Sequence, residues 1–291
     1  MIEETKWLYN KSHKIEVRIF RAVEPKFACI LMHGMAEHNG RYKDFIEHLA
    51  GAGGYVVSYN HRGHGPHAEN LGDIESMALL IDDAYAAAKL MPEHLPKIII
   101  GHSMGAIVAR NMMLGGKFHS YIIIGTMAKT GVLDWLSLQM LRPLALLLKD
   151  SKLKLINYLA LGVNDKSFGG DVKNQWLSKR ADNVTAYNDD PITGFQMTTY
   201  SIYESLRYLQ LSMQPKRLKQ VRNNPRILFV AGLGDPISRF GQDIHALAKK
   251  YRTISDDVQV HLYPESRHEV LNEDNRDDVF YQIEKWILEN E

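Results

Sequence analysis

The chain has little thiol chemistry to draw on, because Cys29 is the single cysteine among 291 residues. A disulfide within the chain is therefore excluded, and a reducing compartment, the cytoplasm, is expected. Cys29 lies in the apolar run FACILM and reads as a buried bystander. Charge of one sign is missing as well, with 35 Lys and Arg against 34 Asp and Glu, so nothing in the balance calls for nucleic acid or acidic lipid as the main partner. The opening MIEETKWLYNKSHK has no apolar signal core. No stretch reaches the roughly 18 to 20 apolar residues of a membrane span, and internal repeats and low-complexity tracts are absent.

What the chain does have is a series of short apolar runs rich in Ile and Val: FACILM, YVVSY, KIIIG, YIIIG, RILFVAG and VQVHLY. Runs that are apolar at every position suit parallel strands covered on both faces. Helical candidates lie between several of them, at 73–91, 104–114, 240–251 and 275–288. Strands alternating with helices predict an α/β fold with a mostly parallel central sheet, whose sites gather at the carboxyl ends of the strands. The alternation breaks after YIIIGTM. From 128 to 215 two helical blocks replace it, which predicts a core made of 1–127 and 216–291 with a helical cap inserted at 128–215. In the second block Phe195, Ile202, Leu206, Leu209 and Met213 share one helical face, and Asp190 with Pro191 reads as its cap and first turn.

The stretch KIIIGHSMGAIVAR then places Ser103 between a strand and a helix, within G-x-S-x-G. Gly101 and Gly105 allow close backbone approach around His102 and Ser103, and the following helix turns its amino end toward the serine. A serine hydroxyl needs a base, and the base needs an orienting group. In this arrangement the partners follow in the order acid, then histidine. Asp235 after ILFVAG and His268 after VQVHLYP fall in that order at the ends of late strands. An oxyanion hole needs two amides, and Met104 after the nucleophile and Met35 in the loop after FACILM are the candidates.

With these residues in view, the stretches HGMAEHNGRY, NHRGHGPH, GHSMGA, DPISRFGQ and SRHEVLNE, with a weaker echo in NDDPITGF, resemble the monoacylglycerol lipase and lysophospholipase branch of the α/β hydrolases, which shades into the serine aminopeptidase-type hydrolases. The resemblance implies a triad of Ser103, Asp235 and His268, with oxyanion amides from Met35 and Met104. It also implies that Glu37 and Arg41 line the polar end of a substrate pocket, beside the alternative that they are an internal ion pair. Asn60 and Pro66 depart from the family pattern, which has an aspartate and a small polar residue there. The spacing of His61, His64 and His67 brings a metal to mind, but no further ligand set completes it. No metal and no cofactor are expected.

The activity implied is hydrolysis of a small-molecule acyl ester, first of monoacyl lipids. Short-chain or aryl carboxylesterase, amidase or aminopeptidase, and a non-catalytic ligand-binding fold follow in that order. Transient contact of the cap with a membrane surface through 136–161 is a further expectation. Oligomeric state is not legible.

Overall fold

The computed structural model describes residues 1–11, 13–128, 131–169 and 171–289. Its centre is an eight-stranded sheet in the order β1-β2-β4-β3-β5-β6-β7-β8. The strands are β1 (Ile2–Asn10), β2 (His13–Arg21), β3 (Phe27–Met32), β4 (Gly54–Tyr59), β5 (Lys97–His102), β6 (Ser120–Ile124), β7 (Arg226–Gly232) and β8 (Val258–Tyr263). From β4 to β8 all pairings are parallel, whereas β1 with β2 and β2 with β4 are antiparallel.

Successive side chains of β3 enter opposite cores, as the two-residue repeat of a strand requires. Phe27, Cys29 and Leu31 pack with α1 (Lys43–Gly51) and α10 (Arg276–Leu288). Ala28, Ile30 and Met32 belong to the larger core on the other face, where α2 (Met77–Ala88), α3 (Met104–Met113) and α9 (Gln242–Tyr251) pack. Parallel strands covered on both faces account for the uninterrupted apolar runs. Cys29 is fully buried, and burial pushes its thiol up out of the reactive range.

The α/β class is as the sequence predicts, and three of the apolar runs coincide with β3, β7 and β8. Two strands were not anticipated. β1 is largely solvent-facing, and its sequence IEETKWLYN carries no apolar run to announce it. It forms an edge hairpin with β2 and is pinned by Arg62, whose buried guanidinium bonds Asp83 at 2.6 Å and the Asn10 carbonyl at 3.1 Å. Helix α1 was also missed, and α2 is shorter than 73–91 because Ser76 caps it at Leu79 N.

Between β6 and β7 the described residues contain no strand. They form α4 (Val132–Leu147), α5 (Lys154–Ala160), α6 (Ala181–Asp189), α7 (Thr199–Leu211) and α8 (Pro215–Leu218). The boundary drawn at 215/216 falls inside α8. Helix α7 is not a detached lid element, since Ile202 and Leu209 are buried in the same core as Ile107 and Met112. Its start corrects the sequence reading. Thr198 caps it by accepting from Ser201 N at 3.1 Å, while Asp190 ends α6, accepts from Ile192 N and bonds His38. A threonine three residues before a serine gave the cap chemistry, but the Asp-Pro pair was the more conspicuous signal.

Candidate active site

Ser103 sits between β5 and α3 with φ 52° and ψ −111°, a conformation that costs a non-glycine residue energy and is held only by strong surroundings. Its amide donates to the Ile124 carbonyl at 2.9 Å, and the Gly105 amide donates to the His33 carbonyl at 3.0 Å. These bonds draw the elbow against both neighbouring strands. A Cβ on Gly101 would lie 2.2 Å from the Gly105 carbonyl oxygen, and one on Gly105 would lie 2.2 Å from that of Met32. Neither glycine can be replaced without moving the backbone of a neighbouring element.

Ser103, Met35, Gly34 and His268 line one small cavity. His268 Nδ1 lies 3.1 Å from Asp235 Oδ1, and both side chains are buried. The distance is that of an ion pair, but the alignment falls short of a hydrogen bond, which leaves His268 Nδ1 and Asp235 Oδ2 without an aligned partner. Such contacts are often loose before substrate closes around them. Asp235 is steadied by Ile237 N, 2.9 Å from its Oδ1. The His268 ring is flanked by Trp176 at 4.9 Å and by His102 at 4.8 Å between centroids.

The loop carrying Met35 is held by the side chains of two histidines, His33 and His64. His33 Nδ1 donates to the Gly34 carbonyl at 2.8 Å, which fixes the peptide plane whose other end is the Met35 amide, and His33 Nε2 accepts from His61 N at 3.0 Å. His64 does the same one peptide on, with Nδ1 to the Arg62 carbonyl and Nε2 accepting from Ala36 N at 3.1 Å. In both, one nitrogen faces a backbone donor, so the neutral ring is the one that fits. Burial accordingly pushes His33 down to about 3 and His64 to about 4. Met104 is the first residue of α3, where amides lack intrahelical acceptors.

Glu37 and Arg41 are tied into an internal network. Arg41 bonds Glu37 at 3.1 Å, both oxygens of Glu269, the nearer of them very closely and the other at 2.8 Å, and Asn183 at 3.0 Å. Glu37 also accepts from the Tyr42 hydroxyl at 2.5 Å. Burial pushes the Glu37 carboxyl up, but the His102 hydrogen bond and the charges of His102 and Arg41 outweigh it and hold the group well below the carboxylate range. His102 faces acceptors at both ring nitrogens, with Tyr42 Oη and Glu37 near Nδ1 and the His268 carbonyl 3.2 Å from Nε2. Burial alone would lower it. The hydrogen bond and charge of Glu37, followed by Glu269, raise it above its ordinary value. Glu37 also borders the Ser103 cavity, which Arg41 does not line.

Glu269 escaped the sequence reading although it directly follows His268, and a buried carboxylate beside a candidate base was the available signal. Trp176 gave none. Asn60 braces its loop by accepting from Asn39 N at 2.9 Å, which an amide oxygen does as well as a carboxylate. His67 is exposed and bonds Glu16, away from His61 and His64, and among the described residues no group of three His, Cys, Asp or Glu is arranged to hold a metal.

Two further cavities lie nearby. One of about 80 Å³ is almost wholly apolar, lined by Ser103, Met104, Ile107, Leu161, Leu206 and Leu209. The other, of about 680 Å³, is a cleft of mixed polar and apolar lining that shares Leu161, Trp176 and Tyr187 with the serine cavity.

The family model described as serine aminopeptidase, S33, matches residues 23–275. A monoacylglycerol lipase of Mycolicibacterium smegmatis is 26% identical over 280 residues, covering 91% of this chain and 89% of that protein. The phospholipase YtpA of Bacillus subtilis is 35% identical over 91 residues, 31% of this chain and 35% of that one. A carboxyl esterase of Bacillus coagulans, solved with glycerol, superposes with a TM-score of 0.89 at 24% identity over 99% of this chain and 98% of that one.

Proposed function

The chain belongs to the serine aminopeptidase S33 family of α/β hydrolases, and we propose that this carboxylic ester hydrolase cleaves monoacyl lipids through an acyl-enzyme on Ser103. The observation that carries the reading is the strained Ser103 in one cavity with His268, which stands 3.1 Å from the buried Asp235. In the proposed mechanism His268 takes the Ser103 proton as Oγ attacks the ester carbonyl, and Asp235 stabilises the resulting imidazolium. The amides of Met35 and Met104 hold the oxyanion. His268 then protonates the departing alcohol, and water releases the acid by the same path. Ser103→Ala should lose hydrolysis by roughly 10⁴-fold or more and resist a fluorophosphonate that labels the native protein. Retained activity in that variant would end the assignment.

Monoacyl lipids are favoured because the apolar cavity runs directly from Ser103, and because the M. smegmatis relative is named a monoacylglycerol lipase. One observation favours a second reading, a short-chain carboxylesterase: about 80 Å³ is far less than the several hundred Å³ usual for ligand pockets. A long chain therefore requires Leu161 and its neighbours on α5 to move. Chain-length profiles on matched esters separate the two, since a maximum at acetate or butyrate would exclude the lipid substrate. No described helix is long and apolar enough to cross a membrane. We further propose surface contact with lipid through α4 and α5, where Leu133, Met140, Leu147 and Leu155 are between 66% and 82% exposed, and a cytoplasmic setting consistent with the single buried thiol. Failure to sediment with vesicles would remove the contact.

A further inference from the structure

A turn of the inserted segment, 174–178, is stitched to the chain on both sides of His268. On one side Arg267 Nη1 donates to the Gln175 and Ser178 carbonyls, and on the other the Glu269 amide donates to the Leu177 carbonyl at 2.8 Å. Within the turn Asn174 is held at φ 62°, and Asp165 accepts from the Asn174 and Trp176 amides at 2.9 and 3.3 Å. The result is that the Trp176 indole is laid against the His268 imidazole, 4.9 Å away between centroids with the planes inclined at 47°. Packing alone does not call for tryptophan at this place. The indole N–H is buried without an acceptor, a cost that leucine or phenylalanine would avoid. What indole offers over either is the π face that attracts a cation most strongly, effective within about 6 Å of the ring.

His268 becomes a cation in the proposed reaction, and its surroundings supply few aligned counter-charges. Asp235 Oδ1 stands 3.1 Å from Nδ1 but out of hydrogen-bond alignment. The elbow contributes His102, whose ring is 4.8 Å away, whose Nε2 reaches the His268 carbonyl, and whose Nδ1 faces Tyr42 Oη and Glu37. Glu37 and Glu269 border the same cavity, but both are paired with Arg41, and Tyr187 gives its hydroxyl to the Ala36 carbonyl. The Arg267 guanidinium is turned to the carbonyls of the inserted turn and to the Phe168 ring. We propose that Trp176 is a positioning residue for His268: its π face holds the imidazole ring and stabilises the imidazolium, so that the inserted segment takes part in hydrolysis besides covering the site. This rests on the reading of His268 as the base that serves Ser103.

The test is the pH profile of kcat/KM on a short aryl ester, whose acid limb reports the base of the free enzyme. Trp176→Leu should move that limb down by roughly one pH unit and lower kcat about tenfold with KM little changed, and Trp176→Phe should move it less. The sign is diagnostic, because loss of cover alone admits water to His268, favours its charged form and moves the limb up. Fluorinated tryptophans give a second measurement that leaves shape and packing nearly intact, since each added fluorine weakens the π face. The limb should step down along the mono-, di- and trifluoro series. Trp7, Trp135 and Trp286 are labelled as well, so Trp176→Phe protein labelled in the same way is the reference, and its limb should not respond. A limb that stays still or moves up along the series overturns the proposal, as does a rise in KM with an unmoved limb, which would make Trp176 a substrate wall. Either result leaves the hydrolase reading intact as long as His268→Ala abolishes turnover. Turnover that survives His268→Ala would instead end that reading and the role of Trp176 with it.

Discussion

The segment between β6 and β7 has two halves that differ in how they are attached. The half around α6 is fastened to the loops of the site by polar bonds. Tyr187 Oη and Gly194 N both donate to the Ala36 carbonyl at 2.9 Å, and Asn183 donates to Glu269 at 2.7 Å. The Glu269 amide donates to the Leu177 carbonyl, and Glu273 accepts from Ser178 and Lys179. The half made of α4 and α5 packs Leu138, Leu141 and Ala145 of α4 on α7, and its polar bonds, such as Asn157 with Met197 and Thr199 with Ser151, run mostly within the inserted segment, with most of its other large side chains in solvent. Bonds to the loops that carry Met35 and His268 suit a part that must keep atoms in place, and fewer ties to the core suit a part of lower local stability. In one inserted segment, then, the α6 half braces the loops of Met35 and His268, and the end of α5 with Leu161 covers the apolar cavity beside Ser103.

The contrast is broken most severely at Glu269. Glu269→Gln leaves the Arg41 guanidinium buried with one carboxylate where it had two, and stripping a partner from a buried pair costs roughly 3 kcal/mol. We expect a loss of that size in urea unfolding together with a fall in kcat, and a change under about 0.5 kcal/mol would mean that the network is ornamental. Tyr187→Phe is gentler. It deletes one of two donors to the Ala36 carbonyl, a loss of about 1 kcal/mol in stability. Because Ala36 is held at φ 55° next to Met35, the proposed oxyanion role of the Met35 amide predicts a kcat reduced about tenfold with KM little changed. An equal rise in KM would make Tyr187 a substrate contact instead.

The difference between the halves also explains what could be read from the sequence. The positions of Ser103, Asp235 and His268 at strand ends were legible because apolar runs mark the strands before them, as RILFVAG does before Asp235. The bonds of the α6 half join residues such as Tyr187 and Ala36, 151 positions apart, and no periodicity encodes a pairing of that separation. His33 and His64 were hidden for a related reason, because their task is set by peptide planes in a loop. β1 was missed because an exposed edge strand held by pairing with β2 needs no apolar stripe. Thr198 was missed because a capping residue is short, common and easily outshone by a nearby Asp-Pro.

A smaller effect follows from His102, which the network raises above its ordinary value of 6.5. A group raised in the folded state contributes its stability in full below the unfolded value and loses it as pH climbs through the folded one. Unfolding free energy should therefore decline from about pH 6.5 upward, in a component that is absent from His102→Gln. A native profile that superposes on that of the variant would mean that His102 carries no extra proton.

The least costly change lies on the other half. Leu133 and Leu147 are 80% and 82% exposed on α4, so Leu133→Ser with Leu147→Ser should alter stability by no more than about 0.5 kcal/mol. If this face meets lipid, the double variant keeps aryl ester turnover, sediments less with vesicles, and loses rate on monoacyl substrate presented in vesicles but not on dissolved monomers. A destabilisation of several kcal/mol would show instead that these leucines are packed in the native fold, and the two halves would no longer differ in the way their attachments imply.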